Sequence, residues 1–261
     1  MTHNKAFTLV VASVLLVAAC TDGAGSDTGT LPTAPPTAAT TETAPRTTPP
    51  TSSSTTSSTT SQPGTSVPTV TLPPGVVGLS PDGPWRQVDS APGITTPGLF
   101  YELMPKLWVY LPLEQDIANG ILATFSQEDA PIIEAYLQAR LTYYRATTQR
   151  PVDLADDGWG RYYTDGGAAY RDQLTRHRDL DEILDLDMGV VLRPEVLGDE
   201  RTDTNAIVFD CLFDGAIWRL PDGTLGSDST PGISTEGAGA IITFADGRWI
   251  LDQIANQPDA C

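Results

Sequence analysis

The side chains here whose types and spacing could do chemistry are one histidine, a pair of aspartates and two pairs of tyrosines. His177 follows Tyr170 and Leu174 at helical spacing. Its imidazole titrates near neutrality, so in the mouth of a cavity it could act as an acid or base. Arg176 and Arg178 flank it, which points instead to a solvated helix face. Asp185 and Asp187 stand two apart in an alternating stretch, so both carboxylates would share one strand face, turned to a cavity or to water. Tyr143–Tyr144 and Tyr162–Tyr163 could line a site for an apolar or glycan ligand, or pack in the core and its rim. The acidic runs at 153–157 and 179–187 offer oxygens to Ca²⁺. They lack the spacing of a calcium loop, and capping and solubilising charge accounts for them.

Composition removes other chemistries. Lys+Arg 15 against Asp+Glu 33 gives a net charge of −18. A phosphate backbone would repel such a chain, so no nucleic-acid partner is expected. There is no G-x-S-x-G elbow and no Walker loop, and His177 leaves too little histidine for a triad. Gly237-Ala238-Gly239 lacks the third glycine of a dinucleotide site. Cysteine and histidine are too few for a zinc site. Neither a metal nor a cofactor is expected.

The elements that must position these residues can be read from periodicity. Over 127–148, Ile133, Tyr136, Leu137, Leu141 and Tyr144 recur at three and four, which predicts a helix with one apolar stripe. Ser126 and Asp129 resemble a capping box, and Pro131 would move the regular start to Asp129. Shorter helices are expected at 153–163 and 167–181, separated by Gly166-Gly167. The period then changes to two. Leu184, Leu186, Met188, Val190 and Leu192 alternate as in a half-buried strand. Further strands are expected at 204–213, 215–220, 238–245 and 248–254. Asp246-Gly247 is a two-residue hairpin signal between the last two. Upstream, 75–124 reads as an extended segment with short strands at 85–88, 99–104 and 107–111, the last two joined at Pro105-Lys106. The fold class is α+β, three helices packed on a curved antiparallel sheet.

The beginning of the chain reads as an address. Lys5 and the amino terminus precede an uncharged run at 6–18 that is too short to span a bilayer, as in a signal peptide. Leu16-Val17-Ala18-Ala19-Cys20 resembles the bacterial lipobox. The resemblance implies recognition at Val17, Ala18 and Ala19, cleavage after residue 19 and acylation of Cys20. Two or three acyl chains anchor a protein stably. The implied location is the outer face of the cytoplasmic membrane, with that membrane as a partner. Residues 20–74 are dominated by Thr, Ser, Pro and Ala. Almost nothing there can offset the entropy of ordering, so a disordered stalk is expected. With Cys20 acylated, Cys211 and Cys261 remain as an even pair outside the cytoplasm. A disulfide is the natural reading, and a redox pair would lack the Cys-x-x-Cys spacing.

EDAPIIEAYLQARLTYYRA at 128–146, FDC at 209–211, DGRWILD at 246–252 and Cys261 resemble the nuclear-transport-factor-2-like (cystatin-like cone) superfamily, as in uncharacterised lipoproteins of actinobacteria. The likeness covers 125–261. It implies a cone-shaped domain that either binds a small apolar ligand or docks an envelope protein without catalysis. The superfamily also includes isomerases and dehydratases. In an enzyme of that kind His177 or Asp187 would shuttle a proton, with Tyr144 as the oxyanion donor. A structural accessory of an envelope complex is the third reading. Fold alone does not choose among these. If Cys20 is acylated, radiolabelled palmitate enters the polypeptide and globomycin blocks processing of the leader. An unlabelled chain processed normally in the presence of globomycin would contradict it.

Overall fold

Helix α1 (Ala130–Thr147) carries the apolar stripe into the core. It starts at Ala130 because Pro131 falls in the first turn, where its missing N–H is no loss. Ser126 and Asp129 do bond: Ser126 Oγ donates to Asp129 Oδ2 at 2.5 Å and accepts from the Asp129 N–H at 3.3 Å. They form a turn just ahead of the helix. Ile132, Ile133, Tyr136 and Leu137 are buried against Ala206, Val208, Ala240, Ile242 and Leu251 of the sheet. Burial of such side chains is worth about 1.5–3 kcal/mol each. The computed structural model describes residues 78–115, 123–226, 229–257 and Cys261. The expected signal peptide at 1–19, with Val17, Ala18 and Ala19, lies outside these residues. So do Cys20 and the 20–74 stalk.

Among the described residues the main sheet has eight strands. Strands β1 (Arg86–Val88), β2 (Gly98–Met104) and β3 (Leu107–Pro112) form an antiparallel meander. After α1 come helices α2 (Gly158–Tyr162), α3 (Asp165–Gln173) and α4 (Thr175–Asp179). Strand β4 (Ile183–Asp185) is followed by β5 (Val190–Leu192), β6 (Pro194–Val196), β7 (Asn205–Asp214), β8 (Ile217–Arg219), β9 (Ser234–Ala245) and β10 (Arg248–Gln257). The order is β1-β2-β3-β5-β7-β9-β10, with β6 also on β7, while β4 and β8 pair separately. All pairs are antiparallel except β3 with β5. This is an α+β arrangement. The strands of the 75–124 segment join the same sheet through the pairing of β3 with β5.

Asp246 (φ 52°) and Gly247 (φ 78°) make the tight turn between β9 and β10, with Ala245 opposite Arg248. Both central residues have positive φ, which matches the twist of paired strands. No helix among the described residues is long and apolar enough to cross a membrane.

Three expected elements differ. The alternating stretch 184–192 is not one strand. The Asp185 carboxylate accepts the Asp187 N–H at 2.9 Å, Gly189 turns the chain at φ 83°, and β4 and β5 join different sheets. The helix expected over 153–163 is confined to α2. Asp153 and Asp156 instead cap local turns, accepting the N–H groups of Ala155 and Gly158 at 2.9 and 2.8 Å. Gly166-Gly167 lies inside α3 and separates nothing. The break falls one step earlier, where Thr164 caps α3 and its N–H bonds the Leu251 carbonyl of β10 at 2.9 Å. The 167–181 helix is itself split into α3 and α4, so four α-helices stand among the described residues where three were expected.

Cys211 in β7 and Cys261 form a disulfide with Cα atoms 5.8 Å apart and a sequence separation of 50. Closing a loop of that length stabilises by about 4 kcal/mol in the chain-entropy model, and by less in many proteins. Replacing both cysteines by serine should lower the unfolding free energy by about 2–4 kcal/mol in urea denaturation. Added reductant should then change the wild-type chain and not the variant.

Candidate functional site

A cavity of about 630 Å³ opens between α1, α3 and the sheet. Its walls include Arg140, Tyr143 and Tyr144 of α1, Tyr170 of α3, Asp214 at the end of β7 and Trp218 of β8. The helical repeat explains the first three. Tyr136, Arg140 and Tyr144 lie on successive turns of one face, so Arg140 occupies the buried stripe. A charged residue in an apolar stripe was the sequence signal for this site. Hydrophobic periodicity passes over it because it scores only the apolar members.

Tyr143 stacks on Tyr170 with centroids 5.2 Å apart, and meets Tyr144 edge-on at 5.1 Å. Arg140 lies over both α1 tyrosine rings, at 5.2 and 5.0 Å. Its Nη2 donates to Tyr144 Oη at 2.9 Å and its Nη1 to Tyr170 Oη at 3.5 Å. Burial opposes the guanidinium charge. The tyrosine oxygens and Asp210 outweigh burial and hold the group charged. Burial pushes the phenols of Tyr143 and Tyr144 well above the ordinary tyrosine range, so both stay neutral donors.

Asp214 is the titrating group of the cavity. Burial lifts its carboxyl from 3.8 to about 6, against the Ala216 N–H, which bonds Oδ1 at 2.8 Å and favours the charged form. Glu236, at the cavity edge, raises it further, and Arg140 acts in the opposite sense. Beneath the cavity, Tyr136 Oη donates to Asp210 Oδ2 at 2.7 Å, and the Arg193 N–H donates to Oδ1 at 2.7 Å. Burial raises the Asp210 pKa as well.

Of the residues expected to act, Tyr144 reaches the cavity. His177 does not line it. The imidazole stacks on Trp218 with centroids 3.6 Å apart and planes 6° from parallel, and its Nδ1 lies 2.7 Å from Glu182 Oε2. The ring is neither in the mouth nor on a solvated face, because Trp218 and the buried Glu182 enclose it. Asp187 is exposed and pairs with Lys106, which holds its carboxyl below the usual range. Asp185 pairs with Arg219 at 2.5 Å. The two aspartates do not share a strand face, and neither borders the large cavity. Both line a shallower groove between the β2–β3 turn and β4.

The chain matches no protein-family model and no curated protein sequence. Among solved structures it is similar to the intermembrane-space region of the chloroplast protein ARC6. The identity is 10% and the TM-score 0.33, over 48% of this chain and 95% of that one. At that level the likeness says nothing about fold or function.

The Asp214 environment makes a pH-dependent prediction. The charged carboxylate is disfavoured in the fold, so its cost is fully present above about pH 6. That cost is relieved as pH falls through 6 toward the ordinary value of 3.8. Asp214→Asn keeps an acceptor for Ala216 without the charge. It should exceed wild type in stability by about 1–2 kcal/mol at pH 7, with the gain shrinking by pH 5. Urea denaturation at both pH values measures this. A difference that does not change with pH would contradict the assignment.

Proposed function

We propose that this protein is a lipid-anchored lipoprotein of the cell envelope whose folded part is a non-catalytic ligand-binding domain. The observation that carries the reading is the cavity, about 630 Å³ between helix and sheet, walled by tyrosines and a tryptophan together with many polar groups, among them Arg140, Asp214, Ser234, Glu236 and Asn256. Small-molecule sites have this size. The occupant is a small amphipathic molecule with an apolar body. The order of elements supports a cone of the nuclear-transport-factor-2-like kind: α1 first, shorter helices next, then a sheet ending in the Asp246-Gly247 hairpin. The lipobox pattern at Leu16 to Cys20 supports acylation and attachment to the outer face of the cytoplasmic membrane. The Cys211–Cys261 disulfide supports an oxidising compartment. Docking of an envelope protein around the cavity mouth belongs to the same reading.

One observation favours a second reading, an isomerase- or dehydratase-type enzyme. The Asp214 carboxyl titrates at about 6 in a cavity that also holds the neutral phenol of Tyr144. A group poised there can carry a proton at neutral pH, with Tyr144 donating to a developing oxyanion. Asp214 takes the role in place of His177 and Asp187.

Nile red, a neutral apolar dye, tests the binding reading on the full chain. It should bind at one saturable site with blue-shifted emission. Ala216→Phe, which puts a ring into the cavity from the β7–β8 turn, should weaken that binding at least about tenfold, roughly the contribution of one well-placed contact. Unsaturable binding, or binding indifferent to the substitution, would overturn it.

A further inference from the structure

Arg140 is the only charged residue among the buried positions of α1, and it is 5% exposed. Among the described residues no carboxylate reaches ion-pair distance of its charge, and Asp210 acts on it only from further away. None of the ion pairs among the described residues includes it. Among the described residues its hydrogen bonds go to two phenols, one of them at 3.5 Å, and its buried Nε has no partner. A guanidinium carries five N–H donors in a planar fork shaped for a carboxylate. Leaving such a group buried without an anion is costly, and the cost disappears when an anion arrives. Neither nearby carboxylate forms an ion pair with it, although Asp210 favours its charge from a distance. Asp210 is held by Tyr136 and the Arg193 N–H, and Asp214 by the Ala216 N–H.

Resting on the ligand-binding reading of the cavity, we propose that its ligand is a small organic carboxylate. The anionic group sits on Arg140, and the apolar body lies against the Tyr143–Tyr170 stack and Trp218. A dianion such as phosphate fits less well. Asp214 and Glu236 also border the cavity and repel a second negative charge more than a first. The aromatic walls reward a flat or aliphatic body that phosphate lacks. The net charge of −18 does not bar a monoanion, because distant charges are screened beyond about 8 Å at physiological ionic strength.

Benzoate, 2-naphthoate and octanoate, each paired with its own primary amide, provide the test. Affinities are measured by calorimetry on the full chain at pH 7.5, where the acids are ionised and the amides have the same shape without charge. At least one acid should bind about ten- to a hundredfold more tightly than its amide, the range for a hydrogen bond to a charged group. Arg140→Met should reduce that preference to about twofold or less while the amide still binds, and Arg140→Lys should restore part of it. If Arg140→Met does not fold, the acid-to-amide ratio of the wild-type chain decides alone. Equal binding of acid and amide would overturn the anion site and leave the cavity reading standing. No binding by any of the six probes would overturn both.

Discussion

The hydrogen bond from Tyr136 Oη to Asp210 Oδ2, 2.7 Å long and fully buried, fixes the rotation of α1 on the sheet. Packing alone would tolerate small turns of a helix whose stripe is rich in Ile, Leu and Tyr. A buried carboxylate that needs donors is less forgiving. Asp210 takes one donor from the helix and one from the Arg193 backbone, so a single side chain joins α1, β7 and the start of β6. One turn beyond Tyr136 the same helix face presents Arg140, and one turn further Tyr144. The position of the cavity groups follows from that tether.

The cavity is then an electrostatic compromise. It holds a cation with no ion-pair partner among the described residues, a carboxyl shifted toward neutrality and phenols that do not ionise. The shifts of Asp214 and the phenols have one origin, the removal of water by the packing of α1 and α3 over the sheet, while Arg140 keeps its charge against that effect through the tyrosine oxygens and Asp210. A low-dielectric site strengthens whatever polar contact an incoming molecule makes, and it penalises contacts left unmade. Trp218 connects this interior to its surroundings, since one face of the indole stacks on His177, whose other contact is the buried Glu182.

Much of the architecture is readable from residue pattern. The stripe of Ile133, Tyr136, Leu137, Leu141 and Tyr144 locates α1 to within a few residues, and Asp246-Gly247 locates the hairpin. Cys211 and Cys261 are joined, as expected of the pair. Less is readable where local pattern competes with tertiary structure. The alternation from Leu184 to Leu192 continues unbroken through a turn, because Leu184, Leu186 and Val190 are all buried in one core although β4 and β5 belong to different sheets. Period two reports which side chains are covered, not which strand covers them. The site was hidden for a related reason. Arg140, Asp214 and Trp218 come from α1, β7 and β8, and no spacing in the chain links them. Only the parallel and antiparallel registers of the sheets bring them together.

The pairing of β3 with β5 has its own consequence for how the chain reaches this state. Leu107 lies opposite Val190 and Val109 opposite Leu192, running the same way. Everything between, α1 to α4 included, is the crossover that parallel neighbours require. The β2–β3 hairpin can close within microseconds of being made, yet it has no sheet to join until β5 arrives. Through that interval Leu107 and Val109, wholly covered in the finished fold, line an open strand edge. The time before β5 docks is when the nascent polypeptide is most vulnerable to pairing with the wrong neighbour.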